Sequence, residues 1–406
     1  MRLGIVYHRP YFQDPSGALH EAEGSFSRYV ESLARRVDEV LLFVPRRETP
    51  VPGSSYVLQA SNVRLVPLPF FERLPQFYRG LPRMLWTLWR QLPECDLISL
   101  RVPTPLGVWA FALARLRRRP VFLLVVGDLA GVAASVRVNN VKRLAYRVYL
   151  AIEERLQRWM VDSSPSFVNG RALYQKYNRP EHEVLLTTTS TISERDVGSR
   201  EDTCQPGQPV RILCVSRVDP RKGLRYLPPA LATLAQHGHD VQLTIVGPVV
   251  GTLGEEERTT TLDLARDLGI ANRVQLVGPK TLLEVYAIAR EHDVFVLPTL
   301  PGEGVPRVLV EAMAAGLPVV ASDVAGVSTV VADRVNGLLV PPRDPDAIAA
   351  AIGQIIQDAP LRRSVIANGY TVARAHTVEA HANKIALGLV KLAGIHLHRS
   401  ARKIAT

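Results

Sequence analysis

At 406 residues, with 47% hydrophobic and 21% charged residues, the chain has the composition of a globular protein with room for two cored domains. No stretch reaches the ~18 uninterrupted apolar residues of a bilayer span, and MRLGIVYH reads as a first strand instead of a secretion signal. The net charge of +11 favours anionic partners, yet no zinc-finger or RNA-binding signature accompanies it, so nucleic acid is not an expected partner. Cys95, Cys204 and Cys214 are widely spaced and form no metal pattern, which predicts free thiols in a reducing, cytoplasmic setting.

In chain order, residues 2–7 and 40–44 read as buried parallel strands around a helix from Ser25 to Arg36. The connection RPYFQDPSGALHEAEGS is long for a strand-to-helix loop, and such loops often carry function. Gly24 allows close backbone approach, and Ser25 suits a helix N-cap. Residues 71–93 interleave Phe71, Phe77, Tyr78, Trp86 and Trp89 with four arginines, while three prolines and Gly80 predict a broken helix. That mixture suits either an anionic membrane interface or a core helix with surface charge. Residues 96–100 and 121–126 read as strands on either side of a helix over 105–117. The second of these strands ends at Gly127-Asp128, beyond a strand's carboxyl end, where open α/β folds hold their site residues. The basic stretch 136–158 carries an apolar stripe (Val141, Leu144, Ala145, Val148, Leu156) and is either an outer-face helix or a second lipid contact.

The aperiodic, charged stretch 196–208 is the expected linker. Beyond it, strands at 210–216, 241–247, 274–277 and 293–297 alternate with helices, one of them starting near Glu255. Helices over 345–357 and 377–394 and a basic tail complete the chain. The most informative stretch is 298–322, PTLPGEGVPRVLVEAMAAGLPVVAS. Pro306 suits a first helical position, Gly316 a left-handed stop about ten residues later, and Val319–Val320 a buried strand. Amides at such a helix start attract phosphate. Glu303 and Glu311 are ill-suited to phosphate but can accept hydrogen bonds from hydroxyls on groups attached to it.

Glu303-x7-Glu311 followed by EAMAAGLPVVAS resembles the signature of the retaining family-4 glycosyltransferases of GT-B type. The likeness continues through VSRVDPRKG (215–223), LTIVG (243–247), VQLVGP (274–279) and NGLLVPPRD (336–344). The resemblance implies an α/β fold of two facing Rossmann-like doubly wound domains with a deep cleft. Its parts would be an acceptor domain over 1–195, a linker over 196–208, a nucleotide-sugar domain over 209–376, and a returning helix with tail over 377–406. It implies that Arg217 and Lys222 bind the donor diphosphate, Glu303 the donor sugar and Glu311 the ribose. Gly247, Gly278, Pro279, Gly304, Val305, Arg307 and Val308 would line the donor, and Gly24-Ser25 match a Gly-Gly pair under the diphosphate. Two departures stand out. Val305-Pro306 replaces an aromatic residue and Gly, and Gly127 replaces a His, leaving Asp128 as the polar contact there.

The activity implied is transfer of a sugar from a nucleotide-diphosphate sugar to a hydroxyl of a glycan or lipid-linked acceptor, with retention. This chemistry serves bacterial polysaccharide, glycolipid and cell-envelope glycan synthesis. No metal is expected, since no Asp-x-Asp pair precedes the loop and cationic residues can take its place. Contact with anionic membrane through 71–93 and 136–158 would place the protein peripherally on the inner face of the cell membrane. A nucleotide-sugar epimerase of the same fold and a non-catalytic nucleotide-sugar-binding protein are the alternatives.

Overall fold

The computed structural model describes residues 1–22, 24–50, 56–127, 140–205, 207–301, 305–324 and 326–397, the side chains of 140–147 and 172 excepted. The chain divides into two units, Met1–Thr189 with Val378–Thr406, and Ser190–Thr377.

The first unit opens with β1 (Arg2–Val6), β2 (Tyr11–Gln13), β3 (Leu19–Glu21), α1 (Ser25–Ala34) and β4 (Glu39–Arg47). There follow β5 (Tyr56–Val57), β6 (Val63–Leu68), α2 (Leu74–Gln91), β7 (Leu97–Val102), α3 (Gly107–Leu116), β8 (Val121–Val125), α4 (Asn140–Asp162), β9 (Ser166–Asn169), α5 (Arg171–Tyr177) and β10 (Leu185–Thr187). Strands that are apolar on both faces need helices on both sides, and the chain supplies them. Its parallel strands lie in the order β10-β9-β8-β7-β1-β4-β6, which reverses between β1 and β7. The long connection after β1 is not a loop: Phe12 pairs with His20 in a hairpin, and Tyr11 pairs with Arg46 of β4.

Helix α2 runs unbroken through Pro82, against the expectation of a broken helix. Proline inside a helix costs about 3 kcal/mol, whereas burying Phe77, Leu81, Met84 and Leu88 returns about 1.5–3 kcal/mol each. Pro82 itself lies on the exposed face, and the Gln76 side chain accepts the Arg73 N–H at 3.1 Å to start the helix. In α4, Val148 of the expected stripe is 52% exposed and Leu156 is half-buried, while Leu150, Met160 and Val161 are buried; the side chains of Val141, Leu144 and Ala145 lie outside the described residues.

The second unit runs β11 (Val210–Val215), α6 (Leu227–Gln236), β12 (Val241–Val246), α7 (Gly251–Asp267), β13 (Val274–Gly278), α8 (Leu282–Arg290) and β14 (Val294–Leu297). It continues with α9 (Arg307–Ala314), β15 (Val319–Ser322), β16 (Leu338–Val340), α10 (Pro345–Gln357) and α11 (Ala359–Ala375). The sheet order β13-β12-β11-β14-β15-β16, counted within the unit, is 3-2-1-4-5-6, the order of a dinucleotide-binding domain. One core face joins Leu231 of α6 to Ile352 of α10. The other joins Val285 of α8 to Leu309 and Met313 of α9. Helix α7 begins at Gly251, earlier than expected from its glycines, and Gly254 allows close packing where a Cβ would stand 2.6 Å from the Val218 carbonyl oxygen.

The stretch 196–208 is fastened along this unit. Arg200 donates to the carbonyls of Arg290 (2.9 Å) and His292 (2.5 Å), and Asp202 pairs with Arg362 (2.7 Å). Asp293 loses from burial but gains more from hydrogen bonds with Arg211 and Thr203, so its carboxyl stays below the ordinary range. The last helix, α12 (Val378–Ala393), packs on α1 through Ala382, Ile385 and Leu389, and Arg35 meets Glu379 at 2.9 Å. All three cysteines are buried free thiols, and burial pushes Cys95 and Cys214 up to about 12, too high for a nucleophile at neutral pH.

Candidate active site

In a doubly wound sheet, ligands gather beyond the carboxyl ends of the strands where the order reverses, which in the second unit means β11 and β14. The segment after β11 is tied down along its length. The Val218 N–H donates to the Pro248 carbonyl at 2.9 Å, and Asp219 caps the following turn by accepting the Arg221 N–H at 2.9 Å. Hydrogen bonds from Arg221 hold the Asp219 carboxyl down at about 2. Arg217 is exposed and Lys222 buried, so the two expected cations sit at opposite depths of one turn. Burial of an ammonium in this way favours a nearby anion.

The segments after β11 and β14 are sewn together. The Leu300 N–H donates to the Arg221 carbonyl at 2.8 Å, and the Thr299 hydroxyl donates to the same oxygen at 3.3 Å. Gly223, at φ 65°, lets this happen, since a Cβ there would stand 2.2 Å from the Pro298 carbonyl oxygen. Behind it, Arg225 grips the fully buried Glu257 of α7, and its Nε lies 2.8 Å from Oε2. Nothing local in the EEE run at 255–257 marks Glu257 as an anchor, and sequence reasoning missed it. At the next strand end the Gly247 N–H donates to the Gly278 carbonyl at 2.9 Å, and Pro279 is exposed beside it.

Gly302, Glu303 and Gly304 lie outside the described residues. Pro306 is the N-cap of α9 and not its first helical residue, and the helix has eight residues where about ten were expected. Ring closure fixes φ of Pro306 at −76° and its ψ of 113° is extended, which is cap geometry. Arg307 and Val308 therefore carry the first helical amides, with Val305 half-buried before them. Gly316 takes φ 76° after the helix, as expected. Glu311 points inward at 9% exposure and accepts a hydrogen bond from the Thr191 hydroxyl. Thr191 is another residue that no local pattern marks.

In the first unit Gly24 is the N-cap of α1 at φ 71° and Ser25 is the first helical residue, so Ser25 does not cap as expected. Asp128 lies outside the described residues. Gly127 is tight, because a Cβ there would meet Pro103 Cδ at 3.3 Å. At the carboxyl ends of β1 and β7, against α1, lies a cluster that sequence reasoning did not find. The Arg101 guanidinium lies over the rings of Tyr7, Phe26 and Tyr29 at 5.0, 5.5 and 5.5 Å. Burial, with Arg9 and Arg101 adding to it, lowers His8 to about 4, so its imidazole is neutral at pH 7.

Residues 199–372 match the family described as Glycosyl transferases group 1. Nearly the whole chain aligns with the phosphatidyl-myo-inositol mannosyltransferase of Mycobacterium leprae, 35% identical over 399 residues and covering 95% of each chain. The chain belongs to the group 1 glycosyl transferases. A shorter match joins this family member to the amylovoran biosynthesis glycosyltransferase AmsK of Erwinia amylovora, 38% identical over 155 residues and 37% of each chain. For that relative and two more the chain spans only 32% to 47% of their length. Among solved structures, Anabaena Alr3699/HepE in complex with UDP-glucose superposes with a TM-score of 0.68 at 18% identity, covering 97% of this chain and 100% of that one. At that identity the likeness speaks for the GT-B fold.

Proposed function

We propose that this chain transfers a glycosyl unit from a nucleoside-diphosphate sugar to an acceptor hydroxyl, with retention at the anomeric carbon, and that its second unit holds the donor. The observation that carries this reading is the joining of the Arg217–Gly223 turn to the segment that leads into α9, across the β11–β14 reversal. The bond between the anomeric carbon and the diphosphate oxygen breaks, and its electron pair passes to the diphosphate. Arg217, Lys222 and the amides of Arg307 and Val308 stabilise the charge that develops there. The acceptor oxygen bonds on the face the diphosphate leaves, and the acceptor proton passes to a phosphate oxygen. Arg217 grips phosphate oxygens in pairs, while Lys222 acts as a point charge.

Glu311 is assigned to the ribose hydroxyls, and Glu303 to those of the donor sugar on the strength of the motif. Gly247, Gly278 and Pro279 are assigned to the nucleoside, at the adjoining carboxyl ends of β12 and β13. The cationic groups carry the charge in this reading, and no metal is assigned.

A lipid-linked acceptor is favoured by the outer surface of the first unit. Helices α2, α3 and α4 cover one core face, so their outer sides share one surface. That surface exposes Trp86, Trp109, Leu116, Ile152 and Trp159 among Arg79, Arg83, Arg90 and Arg155. Apolar rings between arginines suit an anionic lipid interface, and the relative named for phosphatidyl-myo-inositol is consistent with it. No helix among the described residues is long and apolar enough to cross a membrane, so such contact would be peripheral.

A thermal-shift panel of UDP-, GDP-, ADP- and TDP-sugars, run with chelator present, tests the donor assignment. The reading requires at least one of them to raise Tm, because ligand stabilises only the folded state. No shift across the panel would overturn it.

A further inference from the structure

We infer that Thr191 is a positioning residue that sets the carboxylate of Glu311 for the donor ribose, an inference that rests on the ribose assignment made above. The two residues lie 120 positions apart, and the Thr191 hydroxyl donates to Glu311 Oε1. Both are buried, Thr191 at 4% exposure. A carboxylate in such surroundings is costly unless hydrogen-bonded, and a glutamate side chain has several rotamers to choose among. One donor on Oε1 satisfies the first need and selects one rotamer. Oε2 makes no hydrogen bond among the described residues, so it is the oxygen left to accept from a sugar hydroxyl.

The threonine is itself held at several points. Ile192 is wholly buried beside it, and its N–H donates to the Ser190 hydroxyl at 3.2 Å. Ser193 donates to Asp196 through its N–H (2.7 Å) and its hydroxyl (2.9 Å). The Tyr286 hydroxyl donates to the Thr191 carbonyl at 3.4 Å. Glu311 rides on α9, which is anchored by Leu309, Val310 and Met313. Donor and acceptor thus come from two fixed supports, and pre-setting the carboxylate spares the cost of ordering it when the nucleotide binds.

The test is a cycle between protein and ligand. Calorimetry would compare UDP, GDP and ADP, and then the 2′,3′-dideoxy form of whichever binds best, on the full chain and on Thr191→Val. The natural protein is expected to bind the ribose form tenfold or more tighter than the dideoxy form, as befits hydrogen bonds to a charged group. Thr191→Val should lose most of that preference while binding the dideoxy form as the natural protein does, and Thr191→Ser should restore it. A merely structural threonine would lower Tm and leave the preference intact. Thr191→Ala runs the same cycle if valine cannot be seated. An unchanged preference in every hydroxyl-lacking variant that folds overturns the positioning role while leaving the Glu311 assignment standing. If the natural protein shows no preference for ribose hydroxyls, the Glu311 assignment itself falls and takes this inference with it.

Discussion

A Cβ added to Gly247 would stand 1.9 Å from the carbonyl oxygen of Ser216. The ends of β11 and β12 can approach this closely only because residue 247 has no side chain and takes φ 147°. Gly247→Ala therefore brings both a clash and strain of about 1–3 kcal/mol. We expect a clear drop in Tm and a loss of nucleoside-diphosphate affinity, read by thermal melts and calorimetry. Normal values for both would show that the strand ends can part without harm.

Arg217 and Lys222 should separate by their depths. Arg217→Ala removes an exposed side chain, so stability should stay within about 0.5 kcal/mol while turnover falls at least tenfold. Lys222→Ala empties a buried position and should lower both Tm and turnover. Steady-state kinetics beside melting curves check the pair, and near-normal turnover in both variants would remove them from the site.

His381 on α12 gives the first unit a pH signature. Burial, then Arg101 and Lys384, lower it to about 3 from 6.5, and its Nε2 has no partner among the described residues. Between those values the unfolded chain binds a proton that the folded one refuses. Its contribution is therefore complete above pH 6.5 and is lost as pH falls toward 3. At pH 5 the loss is ~2 kcal/mol, from about 1.5 pH units at 1.36 kcal/mol each. His381→Gln should flatten the fall in stability between pH 7 and pH 5, as measured by denaturant titration. An equal slope in the variant would contradict the assignment.

The arginine-aromatic surface predicts salt-sensitive binding to anionic vesicles, with ~1 kcal/mol from each arginine near the leaflet. Changing Arg79, Arg83 and Arg90 of α2 to Glu should weaken sedimentation with such vesicles, and Trp86→Ser should weaken it further, since Trp86 is 61% exposed. A protein that stays in the supernatant at low salt would point to a soluble acceptor.

Much of this molecule is written locally. The apolar runs around Leu3, Leu123, Ile212 and Phe295 are strands because each is buried on both faces. Gly316 stops α9 where its left-handed φ was expected. What escaped was decided at a distance. Pro82 reads as a helix breaker until Phe77 and Met84 are seen buried along one side of α2. Residues 11–21 read as a loop because their pairing partner is the far end of β4. Helix α11 went unseen, although Asp358 caps it by accepting the Leu361 N–H at 2.9 Å. Thr191 and Glu257 look like surface residues until the fold brings Glu311 and Arg225 to them.

The central claim, glycosyl transfer from a nucleoside-diphosphate sugar, is tested most directly by measuring free nucleoside diphosphate with and without acceptor. The protein would be incubated with the donor that stabilises it, in the presence or absence of vesicles carrying phosphatidylinositol or an extracted lipid-linked glycan. The account predicts diphosphate release that depends on acceptor, matches glycosylated product one to one, and falls at least tenfold in Arg217→Ala. Conversion of the donor into an epimeric nucleotide sugar with no diphosphate released would contradict it. So would tight donor binding with no turnover on any acceptor.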